Sequence, residues 1–330
     1  MNELSDIKSQ IFEVSTEQEF NDLCLKIFRL QYANNDIYMQ FVDFLGKTPG
    51  SVKQYSDIPF LPIEFFRNYR ILSGNAESPL EFKSSGTTGM HPSSHLVADP
   101  GIYEKSFLLN FKQHYGEPGQ YAIMALLPSY LGREDSSLIY MVRELIRQSG
   151  DRRSGFYLND LEALSENVHH CIAEQKQVLL IGVSFALLDL AESFPQDLKH
   201  AIVMETGGMK GRRKEMLREE LHEILCRSFG IDHVHSEYGM TELLSQAYAK
   251  SHGLFRSPPW MKVMIRDIND PLSYVGEGKT GGINVIDLAN IYSCSFIATQ
   301  DLGRMQADGQ FEVLGRFDNS EVRGCNLMVS

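Results

Sequence analysis

Apolar positions recur at helical spacing near the start of the chain. Phe20, Leu23, Cys24, Ile27 and Phe28 form one stripe, which predicts helix from about Ser5 to Leu45. Lys47-Thr48-Pro49-Gly50 ends that pattern as a turn. The proline-punctuated run Ile58 to Ile63 then reads as extended chain leading into a short aromatic helix. Further on, short apolar runs alternate with helical patterns. Tyr121 to Leu127, Val178 to Gly182 and Ala201 to Met204 read as buried strands, and the first is stopped by Pro128. Tyr103 to Tyr115, Ser136 to Ser149 and Glu215 to Ser228 read as helices. In the last of these Leu217, Leu221, Ile224 and Leu225 are predicted inward, with Gly230 as the stop. Ser184 is placed to cap the helix after the second strand. From about Trp260 the pattern becomes strand–turn–strand. The sum is an α/β architecture of layered sheets with flanking helices and a β-rich C-terminal section. Residues 1–80 read as an α-rich cap and residues 81–330 as the core, together one compact unit.

Composition narrows the classes. With 330 residues, 43% of them hydrophobic, the chain can bury a large core without staples. A net charge of −12 excludes a basic nucleic-acid footprint. Cys24, Cys171, Cys226, Cys294 and Cys325 are odd in number and scattered, which predicts a reduced, cytoplasmic protein. The most apolar run, Val178 to Ala191, is too short to span a bilayer and carries Asp189. The start is acidic and polar, unlike a signal peptide.

Two patterns mislead. Gly276 to Gly281 matches G-x-G-x-x-G, but the alternating run Ile283 to Leu288 follows where a dinucleotide fold needs a helix. A glycine-rich β-turn fits better. His222 with Cys226, and His233 with His235, each supply two potential metal ligands where a structural zinc needs four.

The chemistry concentrates elsewhere. Ser84, Ser85, Gly86, Thr87, Thr88 and Gly89 place four hydroxyls and two glycines in six positions. Glycine lets backbone N–H groups turn into an anion-binding concavity, and hydroxyls add uncharged donors. The stretch suits a polyphosphate, although an ordinary polar loop can share its composition. Ser236-Glu237-Tyr238-Gly239-Met240-Thr241-Glu242 follows a predicted strand. Tyr238 can stack on a base, Thr241 can donate to a phosphate, and Glu242 can hold Mg²⁺. Thr299 to Gly303 reads as a strand end opening into a turn, where Asp301 can accept from ribose hydroxyls. Gly315 to Asp318 reads as a turn that carries the cation Arg316.

In order, these segments with Gly207-Gly208 resemble the adenylate-forming superfamily of acyl-CoA synthetases, luciferases and peptide-synthetase adenylation domains. The resemblance runs from about Glu81 to the end. Ile58 to Pro62, Leu127 to Leu131 and Val322 to Cys325 narrow it to the LuxE-like acyl-protein synthetases. It implies the superfamily's large-domain architecture, with ATP and Mg²⁺ as cofactors. Ser84 to Gly89 would grip the ATP phosphates, and Gly207-Gly208 would pass close to the nucleotide and the acid. Tyr238 would stack on adenine, Thr241 would contact the α-phosphate, and Glu242 would hold Mg²⁺. Asp301 and Arg316 would bind ribose, and Asp318 would sit at a hinge. Cys325 would carry the acyl group as a thioester. It is the last cysteine and follows Arg323 and Gly324, although cysteine is also a common buried small hydrophobe.

Two features depart from the superfamily. Met90 to His95 replaces the usual Pro-Lys-Gly, and no room remains after the hinge for the small mobile C-terminal domain with its catalytic lysine. Lys83, Lys210 and Arg212 are the nearby cations. The expected function is ATP-dependent activation of a carboxylic acid, fatty or aryl, as acyl-AMP with pyrophosphate release. Transfer to a thiol follows, on Cys325, CoA or a carrier protein, with a partner reductase as a possible recipient. The alternative is a non-catalytic nucleotide- or acyl-binding subunit.

Overall fold

The computed structural model describes residues 3–74, 76–84, 91–128, 135–158, 160–207, 213 and 216–317. In chain order the elements are α1 (Glu3–Gln10), α2 (Glu17–Asn34), α3 (Asp36–Phe44), β1 (Leu61–Pro62), α4 (Phe65–Asn68), β2 (Leu80–Lys83), β3 (Ser94–Val97), α5 (Pro100–Tyr115), β4 (Tyr121–Leu126), α6 (Ser137–Ser149), β5 (Gly155–Phe156), α7 (Leu161–Ala173), β6 (Gln177–Gly182), α8 (Ser184–Ser193), β7 (Ala201–Thr206), α9 (Arg218–Phe229), β8 (His235–Tyr238), β9 (Ala247–Ala249), β10 (Leu254–Arg256), β11 (Met261–Arg266), β12 (Thr280–Asp287), β13 (Phe296–Met305) and β14 (Phe311–Arg316). They fall into two compact units, Met1–Ser78 with Gly89–Ala98 and Ser257–Ser330, and Pro79–Thr88 with Asp99–Arg256.

The first unit joins both ends of the chain. β11, β12, β13 and β14 form an antiparallel sheet, and β1 runs parallel to the first half of β13. The predicted stripe of α2 is buried as expected. Its N-terminus carries a capping box: Glu19 N–H donates to Thr16 Oγ1 at 3.2 Å and Thr16 N–H to Glu19 Oε2 at 3.0 Å. The stretch read as helical over 5–45 resolves into three helices. Asn35 adopts an extended conformation and its side chain accepts from Tyr38 N–H, so it ends α2 and caps α3. Buried Gln31 donates to the carbonyls of Asn290 and Ile291, both at 3.0 Å, and accepts from Ser295 N–H. Phe28, Tyr38 and Phe60 pack around Phe296.

The second unit carries the predicted α/β alternation. β5, β4, β6, β7 and β8 lie side by side and parallel, and β9 and β10 add on antiparallel. The residues of β4 are all buried, which explains why it reads as a continuous apolar run. α6 packs on β4, α7 on β6, and α8 on β7 and α9. Two local expectations are corrected. Ser184 is the first residue of α8 and does not cap it; the chain turns at Val183, so Ser184 already has helical geometry. α9 starts at Arg218, which leaves Leu217 at the N-cap, 66% exposed, while Leu221, Leu225 and Phe229 face inward and Ile224 is half-buried. Gly230 stops α9 in the left-handed conformation, as expected. Among the described residues no helix is long and apolar enough to cross a membrane.

Candidate active site

In open α/β sheets ligands bind beyond the carboxyl ends of the strands. β7 and β8 are adjacent and parallel, in a register that sets Glu205 beside Ser236 and Thr206 beside Glu237. Gly207 follows β7, and Gly239 and the turn holding Thr241 and Glu242 follow β8. The fold therefore brings Gly207, Tyr238, Thr241 and Glu242 to the carboxyl ends of two neighbouring strands. Gly208 lies outside the described residues, as do the nearby cations Lys210 and Arg212. Glu242 is buried and Thr241 half-buried.

Strand alternation sends successive side chains to opposite faces. On one face Tyr238 is buried against Phe255, with ring centres 5.8 Å apart. Arg218 of α9 lies over the same Phe255 ring at 5.2 Å and pairs with Glu205 at 3.2 Å. Burial pushes the Glu205 carboxyl up, but His222 and Arg218 outweigh it and hold the group below its ordinary value. It is an anion paired with a guanidinium.

The other face holds Glu237, to which the sequence reading gave no role. Thr206 Oγ1 donates to its Oε2 at 2.8 Å. Tyr248 of β9 stands directly opposite and packs edge-on against Tyr115 of α5 at 5.3 Å. Burial pushes the Glu237 carboxyl up to about 7, and nearby Glu205 adds to the shift. The available signal was a carboxylate at an inward position of a short strand ending in glycine.

β2 leads into the hydroxyl-rich stretch. Phe82 anchors it, with its ring 5.3 Å from Tyr103 and 5.7 Å from Tyr140. Lys83 N–H donates to the Asp135 carbonyl at 2.8 Å, and the Lys83 ammonium pairs with Glu81 at 3.4 Å. Ser84 is half-buried; Ser85, Gly86, Thr87, Thr88 and Gly89 lie outside the described residues.

Asp301 and Arg316 belong to the first unit. They sit opposite each other on β13 and β14, with Arg316 Nε 3.2 Å from Asp301 Oδ1. Asp301 is buried while the Arg316 side chain is 68% exposed. Neither lies in a turn, contrary to expectation. β13 continues to Met305 through a bulge at Leu302/Gly303, and Gly315 and Arg316 close the β14 ladder. Asp301 N–H donates to Thr299 Oγ1, which donates to the Ile283 carbonyl. Asp318 and Cys325 lie outside the described residues.

The G-x-G-x-x-G pattern resolves as read. Gly276 to Gly281 turns into strand β12. Among the described residues no three potential ligands gather for a metal. His235 contacts the Tyr115 hydroxyl at 3.2 Å, and burial, aided by Lys250 and His233, pulls it down to about 4, so it is neutral at neutral pH.

The fold is shared with ligases. ATP-bound MatB from Rhodopseudomonas palustris is 16% identical, with a TM-score of 0.54 over 72% of this chain and 47% of MatB. A long-chain-fatty-acid–CoA ligase from Archaeoglobus fulgidus is 17% identical, with a TM-score of 0.54 over 74% of this chain and 52% of that one. A 2-hydroxyisobutyryl-CoA ligase in complex with 2-HIB-AMP and CoA is 13% identical, with a TM-score of 0.62 over 94% of this chain and 71% of that one. The chain thus spans about half the length of the first two structures, and at these identities the likeness is one of fold. Comparison with curated proteins gives no significant sequence match. The sequence pattern of the acyl-protein synthetase family LuxE does match, over residues 158–330. That stretch is just over half of the chain and holds both the β7–β8 strand ends and the Asp301–Arg316 pair, so the chain belongs to the LuxE family of acyl-protein synthetases.

Proposed function

We propose that the protein activates a carboxylic acid with ATP. An oxygen of the acid attacks the α-phosphorus, a new O–P bond forms, and pyrophosphate leaves. A thiolate then attacks the acyl carbon and AMP leaves. The observation that carries this reading is the convergence of Gly207, Tyr238, Thr241 and Glu242 at the carboxyl ends of β7 and β8, in a chain of this family. Tyr238 would stack on adenine, Thr241 would donate to the α-phosphate, and Ser84 to Gly89 would hold the remaining phosphates. Gly207-Gly208 would lie along the nucleotide and the acid, and Asp301 and Arg316 would hold the ribose.

Mg²⁺ fits the donor set. Glu242 is a buried carboxylate in a turn beside a hydroxyl, and one or two carboxylates with phosphate oxygens make its usual ligands. When bound it supplies charge neutralisation at the phosphates. The chain's own residues orient the acid and exclude water.

Cys325 is the proposed first acyl acceptor, with CoA, a carrier protein or a reductase as later recipients. The four described thiols favour it indirectly. Burial pushes Cys24, Cys171 and Cys226 upward and Cys294 up to about 12, which makes each a weak nucleophile. Acid-dependent exchange of labelled pyrophosphate into ATP tests the first step, and its absence with a broad set of fatty and aryl acids refutes activation. Incubation with ATP, Mg²⁺ and labelled acid tests the second. A hydroxylamine-sensitive label is expected, and one that persists in Cys325→Ser excludes this cysteine.

A further inference from the structure

We propose that Glu237 is a positioning residue for nucleotide binding: its carboxyl ties the end of β7 to the turn after β8, fixing the spacing between the two sides of the site. The proposal rests on reading these strand ends as the nucleotide site. One carboxyl oxygen is hydrogen-bonded and the other is packed against backbone. Oε2 accepts from Thr206 Oγ1 at 2.8 Å, immediately before Gly207. Oε1 fills the space that a side chain at residue 239 would need, and Gln246 Cγ closes that space from the other side, 3.2 Å from where a Cβ would stand. A side chain at 239 is therefore excluded, and the carboxyl sits between Thr206 at the end of β7 and Gly239 after β8.

No step proposed above uses Glu237. It is 8% exposed, and burying an unpaired carboxylate is costly. The titratable groups around it are Glu205 on the opposite face of β7, Tyr115 on α5, Tyr248 on β9 and, on its own strand, neutral His235; beyond them the Lys250 ammonium lies over the Tyr115 ring. Its neutral form donates as well as accepts and adds no charge beside a polyphosphate. Its ionised form adds an anion where phosphates must bind. ATP affinity should therefore weaken as pH rises through about 7, the value to which burial pushes this carboxyl.

Calorimetry with Mg·ATP at about pH 6 and about pH 8 tests this on wild type, Glu237→Gln and Glu237→Ala. Glu237→Gln keeps a donor and an acceptor without the charge, so it should match wild type at the lower pH and bind more tightly than wild type at the higher. The ionisation of ATP itself is common to both and cancels. Glu237→Ala should lose about five- to tenfold in affinity at both pH values, with circular dichroism unchanged. If the alanine variant does not fold, the glutamine comparison alone decides. Equal pH dependence in wild type and Glu237→Gln overturns the proposal, as does a folded alanine variant of wild-type affinity. Failure of wild type to bind ATP at either pH instead removes the nucleotide reading, and this proposal with it.

Discussion

Glu237 also has a signature in stability, separate from any ligand. Its folded carboxyl is raised from 4.5 to about 7 by burial. Between those values the folded chain keeps a proton that the unfolded chain gives up, so this group's stabilisation falls as pH rises and is lost above about 7. A shift of that size corresponds to about 3–4 kcal/mol. Glu237→Gln should therefore raise the melting temperature at pH values well above 7 and leave it nearly unchanged near pH 4.5. An equal change at both ends would assign the effect to packing. Glu205 behaves oppositely, being held below its ordinary value with Arg218 beside it. Arg218→Met should destabilise by about 3–5 kcal/mol at neutral pH, because a buried carboxylate loses its closest cation, and acid should shrink that loss. Two neighbouring glutamates of one sequence thus titrate in opposite directions. Only the burial of one beside a threonine, and of the other beside a guanidinium, separates them.

Among the elements, most of the pattern was legible. α5, β4, α6, β6 and β7 fall where the apolar patterns put them, because the strands are buried along a continuous stretch and the helices along one face. The errors lie at junctions. Asn35 breaks a helix that periodicity alone carries through, and Leu217 has the right spacing for α9 but precedes its first turn. Asp301 and Arg316 were read as turn residues because glycine follows one and precedes the other. Those glycines serve a bulge and a ladder end instead. A further glycine pair shows why such readings fail. Arg266 on β11 reaches across β12, donating to the Ile283 carbonyl at 2.8 Å, Asn284 Oδ1 at 2.9 Å and the Thr299 carbonyl at 2.6 Å. A Cβ on Gly282 would collide with that guanidinium. Gly282→Ala should displace it and destabilise by about 2–4 kcal/mol. In an Arg266→Ala background the same change should cost much less, since the collision is gone. Additive losses in thermal unfolding would place the effect in the backbone of β12.

At the scale of the whole molecule, the candidate site was legible as an ordered series of short motifs and illegible as a geometry. Tyr238, Thr241 and Glu242 are neighbours in sequence, so their grouping was readable. Thr206 and Glu237 meet only because β7 and β8 pair in register, which no spacing along the chain encodes. If Glu242 holds the metal, Glu242→Gln should weaken Mg·ATP by about tenfold while leaving adenosine binding nearly unchanged. Parallel loss of both in calorimetry would mark it as a packing residue.

The long-range hydrogen bonds of Gln31 have a consequence for synthesis. They close on Asn290, Ile291 and Ser295, and the first of these contacts spans 259 residues. At ribosomal rates of about 5–20 residues per second, the partners of α2 emerge roughly 13–50 s after it does. During that interval Phe28 lacks Phe296 and Gln31 lacks its carbonyl partners, while the α/β unit between them can already fold. The nascent chain therefore carries α2 without its C-terminal partners through most of its synthesis, and the first unit closes only when the last quarter of the chain has been made.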